Sequence, residues 1–244
     1  MRSKIFVALD VETKEKALEI VSDLKGLGAC FKIGKQLFTS TGPELVREIV
    51  GMGEDVFLDL KYHDIPNTVA KAGAAAADLG VKIFNVHASG GRKMMEAVRE
   101  EMDKIKNPPL VLAVTILTSL GEEDIREVGF DRTIPEQIAK LAKLAKDSGM
   151  DGVVASPLEI ELIRETLISP LEIELIRETC GKDFKILTPG IRPAFAAVND
   201  QKRIATPAEA LRKGADYLVI GRPITAAENR RVAFLKILEE CKNA

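Results

Sequence analysis

The sequence predicts an α/β fold, a single (β/α)8 TIM barrel, on three observations. Eight short β-rich runs recur along the 244 residues, a helix-like stretch follows each run, and no break in composition divides the chain. Length alone would also suit two small domains, but with no linker in sight one domain over residues 1–244 is the simpler reading.

Taken in order, the runs are KIFVALD (4–10), ACFKIG (29–34), DVFLDLK (55–61), VKIFNVH (81–87), LVLAVTIL (110–117), DGVVAS (151–156), FKILTPG (184–190) and DYLVIG (216–221). Each ends in polar residues or glycine, the punctuation of a strand. Between them lie amphipathic segments such as TKEKALEIVSDLKGLG and PEQIAKLAKLAKDSG, with apolar residues at helical spacing and glycine where the helix should stop.

Composition excludes several classes. Hydrophobic content of 46% with 30% charged residues describes a globular chain, not a disordered or fibrous one. The 35 basic and 37 acidic residues leave a net charge of -2, so no global field recruits nucleic acid or an anionic membrane, and an anionic ligand must be held by local groups. Cys30, Cys180 and Cys241 have no metal or redox spacing and read as buried thiols of a reducing compartment. MRSKIFVALD has too short an apolar run for a signal peptide, and no later stretch approaches a membrane span, so a cytoplasmic location is expected.

One segment departs from the barrel pattern. SPLEIELIRET occurs at 156–166 and again at 169–179, separated by Leu167 and Ile168. Two copies do not make a solenoid, so the segment 156–179 reads as a tandem duplication of the sixth helix, engineered or recent. Each copy opens with its own Ser-Pro start, which disfavours one straight helix through both. Either copy could pack on the sheet.

In this fold chemistry sits at the C-terminal ends of the strands, and polar residues crowd there. Strand one ends in Asp10, strand two carries Lys32, strand three carries Asp59 and Lys61, strand four ends in His87, and strand five leads to Thr118 and Ser119. Asp59 and Lys61, two apart, share a face, and Asp64 follows just past the strand, where Pro66 can open a helix. Lys32 on the neighbouring strand can reach the same place. A buried ion-pair network held for structure alone is the competing reading, but at a barrel mouth neutral residues would serve that purpose as well. After strands seven and eight, Gly190-Ile191-Arg192 and Gly221-Arg222 offer close backbone approach and forked donors suited to phosphate. A helix-start cap is the alternative for the second loop. The run RPAFAAVNDQKRIATP (192–207) is long and polar enough to act as a lid. His63 alternates away from Lys61, and His87 reads as a hydrogen-bonded structural imidazole. Two histidines without a third ligand cluster argue against zinc, although the acidic mouth could still hold magnesium.

FLDLKYHDIPNT (57–68) resembles the D-x-K-x-x-D-I-x-N-T signature of the orotidine 5'-phosphate decarboxylase family. The likeness extends, in order, to FVALD, FKIG, NVHASGG, VTILTS, TPGIRP, DQKRIATP and VIGRPIT, nearly the whole chain. The tandem repeat departs from it, as does Ala197-Val198-Asn199-Asp200 ahead of Gln201, where family lids carry acidic or glycine-rich runs. The resemblance implies decarboxylation of orotidine 5'-phosphate to UMP without metal or cofactor. Lys61 would protonate the ring carbon that loses carbon dioxide, within a charged array of Lys32, Asp59, Lys61 and Asp64. Asp64 and Thr68 would cross a homodimer interface. Asp10 and Lys32 would hold the ribose, Thr118 and Ser119 the base, and Arg192, Gln201, Gly221 and Arg222 the phosphate. A magnesium-dependent relative such as 3-keto-L-gulonate 6-phosphate decarboxylase is the near alternative. A non-catalytic scaffold displaying the repeat is the distant one.

Overall fold

The structure is a computed structural model that describes residues 3–166, 183–194, 205–242 and 244. Eight parallel strands close into a barrel in sequence order: β1 (Ile5–Ala8), β2 (Cys30–Gly34), β3 (Val56–Tyr62), β4 (Ile83–His87), β5 (Leu110–Val114), β6 (Gly152–Val154), β7 (Lys185–Thr188) and β8 (Tyr217–Ile220). All eight coincide with the runs read from the sequence. β5 is shorter than the run 110–117: the chain leaves the sheet after Val114, and Ile116 and Leu117 join the mouth instead.

Two-residue periodicity divides each strand between two cores. Phe6, Ala8, Cys30, Phe57, Ile83, Leu112, Leu187 and Val219 fill the barrel interior. Their neighbours Val7, Phe31, Leu58, Phe84, Val111, Val153, Ile186 and Leu218 face outward and pack with the helices. Phe6 meets the rings of Phe57 and Tyr217 edge-on at centroid distances of 5.8 and 5.7 Å, which seals the barrel below the site. Gly152 allows β6 into this wall, since a Cβ there would overlap the backbone carbonyl oxygen of Lys185.

Local signals explain the helix boundaries. Thr133 and Glu136 form a reciprocal capping box at the start of Ile134–Asp147, and Thr206 and Glu209 do the same for Pro207–Arg212. Ser156 begins the first copy of the repeat: its backbone N–H donates to Glu159 Oε2 at 2.9 Å, and a turn over Pro157–Glu159 leads into the helix Ile160–Thr166. This copy packs on the barrel through fully buried Ile160 and Ile163. Arg164 ties it to the following strands by donating to Phe184 O, Gly214 O and Asp216 Oδ2. The copy at 169–179 lies outside the described residues, as do Cys180 and the lid segment 195–204. The chain on either side of that segment is pinned by a parallel bridge between Ile191 and Ala205. Gly221 opens a four-residue helix, Arg222–Thr225, and the last helix, Arg230–Lys242, starts separately. Among the described residues no helix is long and apolar enough to cross a membrane.

Candidate active site

The register that fills the barrel also builds the site. Two residues above Ala8, Cys30 and Phe57 come Asp10, Lys32 and Asp59, and two above Asp59 comes Lys61, so the interior parity turns from apolar to charged at the C-terminal ends of neighbouring strands. These four residues line a mouth cavity of about 530 Å³, together with Thr118, Ser119, Arg192, Gly221 and Arg222. Such a volume suits a small organic ligand.

The charged groups alternate in sign. Lys32 Nζ lies 2.9 Å from Asp10 Oδ1 and 3.6 Å from Asp59 Oδ2, while Lys61 Nζ lies 2.7 Å from Asp59 Oδ1. Lys32 is 7% exposed, so its ammonium depends on these two carboxylates for the contacts it would otherwise make with water. Gly34 leaves room for this packing: a Cβ there would stand 3.0 Å from Lys32 Nζ and 3.5 Å from Asp10 Oδ1. Burial pushes the Asp59 carboxyl upward, but the ammoniums of Lys32 and Lys61 and hydrogen bonds from Lys61 and Asn85 outweigh it and hold its pKa below the ordinary value.

Lys61 has an unusual backbone. Among the described residues it alone, apart from glycines, has a positive φ, 53°. It sits where the β3–β4 pairing shifts register between Leu58 and Tyr62. Its backbone N–H donates to Asn85 Oδ1 at 2.8 Å, and Asn85 Nδ2 donates to Asp59 Oδ1 at 2.7 Å. Asn85, within NVHASGG, is not among the site residues expected from the sequence. The available signal was a polar residue at the inward position of β4, between Ile83 and His87.

Two residues expected to reach the site across a dimer interface, Asp64 of the array and Thr68, are not brought to it within one chain. Asp64 is exposed, with Oδ1 accepting from the Ile65 backbone N–H at 2.6 Å, and Thr68 is exposed in the first turn of Pro66–Asp78. Gln201 lies outside the described residues. His87 is corrected: among the described residues its ring has no hydrogen bond, and it packs against His63 at a centroid distance of 5.5 Å. Burial, then the nearby His63, Lys35 and Lys61, lower its pKa to about 4, which leaves a neutral imidazole at neutral pH. Among the described residues no group of three or more His, Cys, Asp or Glu side chains is arranged to hold a metal ion.

Fold and site together define a class: a (β/α)8 barrel with a buried lysine–carboxylate array at the C-terminal ends of strands β1 to β3. Within that class, the chain belongs to the orotidine 5'-phosphate decarboxylase / HUMPS family, whose model matches residues 3–237. The orotidine 5'-phosphate decarboxylase of Syntrophotalea carbinolica is 54% identical over 244 residues, spanning 98% of this chain and 95% of that protein. The Saccharophagus degradans enzyme of the same name is 49% identical over 241 residues, 99% and 96% of the two chains. The crystal structure of orotidine 5'-phosphate decarboxylase from Lactobacillus acidophilus matches with a TM-score of 0.83 at 37% identity, across 100% of both chains.

Proposed function

We propose that this protein decarboxylates orotidine 5'-phosphate to UMP and carbon dioxide, the closing step of UMP synthesis. The observation that carries the reading is the run Asp10–Lys32–Asp59–Lys61, joined by contacts of 2.9, 3.6 and 2.7 Å on the wall of one cavity. When the carboxylate departs, the electrons of the broken carbon–carbon bond stay on a ring carbon with no adjacent sink. The Lys61 ammonium stabilises that charge and then passes its proton to the carbon, forming the new C–H bond. The resulting neutral amine regains a proton from solvent.

Magnitudes assign work to the rest of the site. One charge pair at 4 Å is worth ~4 kcal/mol at an effective dielectric near 20. Reactions this slow without a catalyst require on the order of 20 kcal/mol. Lys61 alone is therefore insufficient, and binding of the remote phosphate, by Arg192, Gly221 and Arg222 with Gln201, supplies the positioning that presses the substrate onto the array. Asp10 and Lys32 hold the ribose, and Thr118 and Ser119 the base.

The reading includes a homodimer in which Asp64 and Thr68 of each chain complete the other's site. Their exposure, and that of Ile65 at 67%, leaves the surface just past β3 uncovered within one chain. The deciding assay follows the absorbance of orotidine 5'-phosphate with purified protein in chelator and no added metal. Steady loss of substrate is expected. Strict dependence on magnesium, or no turnover at all, would overturn the assignment.

A further inference from the structure

Asn85 is 0% exposed and lies on the interior face of β4, two residues beyond Ile83 and paired in register with Leu112 of β5. A buried carboxamide costs stability unless its polar atoms are paired. Its two hydrogen bonds go to the same functional pair, one to the Lys61 backbone and one to the Asp59 carboxylate. The partners also orient the amide, because a backbone N–H requires the oxygen and a carboxylate requires the nitrogen.

The reason for this arrangement lies in the strand pairing. Leu58 pairs with Phe84 and Tyr62 with Val86, so four steps along β3 match two along β4, and Lys61 falls in the mismatch. Its N–H has no regular ladder acceptor there, and Asn85 Oδ1 takes that place. Left-handed backbone at a residue with a side chain is disfavoured and persists only where the surroundings impose it. Asn85 does not line the mouth cavity, so it acts on the reaction through other residues.

We propose that Asn85 is a positioning residue that holds the Lys61 backbone in its left-handed turn and Asp59 beneath the Lys61 ammonium, an inference that rests on the decarboxylase reading. Proton delivery to carbon needs near-contact geometry, and a displacement near 1 Å costs on the order of 100-fold in rate. Product binding draws on the ribose, base and phosphate contacts, which Asn85 does not touch.

Two variants test this in parallel with the wild type. Asn85→Ala removes both hydrogen bonds. Asn85→Asp keeps the shape and an acceptor for the Lys61 N–H but sets a second carboxylate against Asp59. A proton on the new carboxyl restores the missing donor, so this variant should gain activity as pH falls from about 8 to about 5. The titratable side chains of the surrounding strands are Cys30 and Lys32 on β2, Asp59, Lys61 and Tyr62 on β3 and His87 on β4, and β5 carries none. The expected result is kcat lowered about 100-fold in Asn85→Ala, UMP affinity within about twofold of wild type, and an acid-side rescue of Asn85→Asp that the wild type lacks. The proposal is overturned if the folded Asn85→Ala protein keeps kcat within about twofold of wild type, if Asn85→Asp shows no acid-side rescue, if UMP affinity falls in step with kcat, or if neither variant folds. Absence of turnover in the wild type would instead sink the decarboxylase reading itself.

Discussion

The ammonium of Lys61 lies 2.7 Å from Asp59 Oδ1, and both side chains belong to the seven-residue strand Val56–Tyr62. Asp59 also meets Lys32 of the adjoining strand, at 3.6 Å. One carboxylate thus anchors two cations, and the same shared contact gives the array both its order and its vulnerability to substitution.

Removing Lys61, the proposed proton donor, should abolish turnover while leaving the fold intact. Lys61→Ala is expected to lower kcat by roughly 10⁴-fold or more, combining the usual worth of a general acid with that of a charge at the developing anion. Lys32 and Asn85 remain bonded to Asp59 in the variant, so its melting temperature should stay close to that of the wild type. Single-turnover decarboxylation and thermal unfolding check the two halves.

Acid stability should carry the signature of His87. Its pKa is about 4 in the folded chain against an ordinary value of 6.5. Above the ordinary value both states are neutral, and stability is indifferent to this group. Between the two values the unfolded chain takes up a proton that the folded chain refuses, so stability declines as pH falls through that window and levels off below it. Melting temperature against pH, compared for wild type and His87→Asn, should show a shallower acid slope in the variant.

Gly152→Ala should be among the most damaging single-methyl additions in the barrel. The new Cβ would meet the Lys185 backbone carbonyl and stand 2.9 Å from a Leu112 methyl, neither of which can yield without moving a strand. Overpacking of this kind costs about 1–3 kcal/mol, and a shift of β6 against β7 places the value at or above the upper end. Urea titration would reveal it, and a variant as stable as wild type would contradict the packing described.

Mixing two dead chains should restore activity. If Asp64 serves the partner's site, equal amounts of Lys61→Ala and Asp64→Asn, unfolded and refolded together, produce hybrids with one intact site. Random pairing in a two-fold dimer predicts roughly a quarter of wild-type activity. Activity no greater than that of the separate variants would place Asp64 outside the reaction or within its own chain's site.

Deleting residues 167–179 should leave the chemistry unchanged. The copy at 156–166 already fills its position with buried Ile160 and Ile163 and with the Arg164 contacts, so the deletion removes nothing those contacts need. Equal kcat is expected, with any difference confined to unfolding temperature. A fall in kcat of more than about tenfold, some 1.4 kcal/mol in barrier, would show that the second copy supports the site.

How far the sequence reaches is clearest on β3. Alternation alone places Asp59 and Lys61 on the interior face, and recurrence of eight strand–helix units closes the barrel around them. Asp10, Lys32, Thr118, Ser119, Arg192, Gly221 and Arg222 were legible for the same reason, since each stands at or just beyond a strand's C-terminal end and all line one cavity. Side-chain period is a local property, and local properties can be read from neighbouring letters.

What only the tertiary structure decided were the contacts between distant strands: the skipped register at Lys61, its left-handed backbone, the choice of Asn85 as hydrogen-bond partner, the pairing of His63 with His87, and the use of the first SPLEIELIRET copy against the barrel. Asn85 is 24 positions from Lys61, and nothing in either segment declares the mismatch that joins them. A strand's sequence determines which face a residue occupies. Which atom answers an unpaired N–H depends on the register and approach of the neighbouring strand, and those are set by how the whole barrel packs.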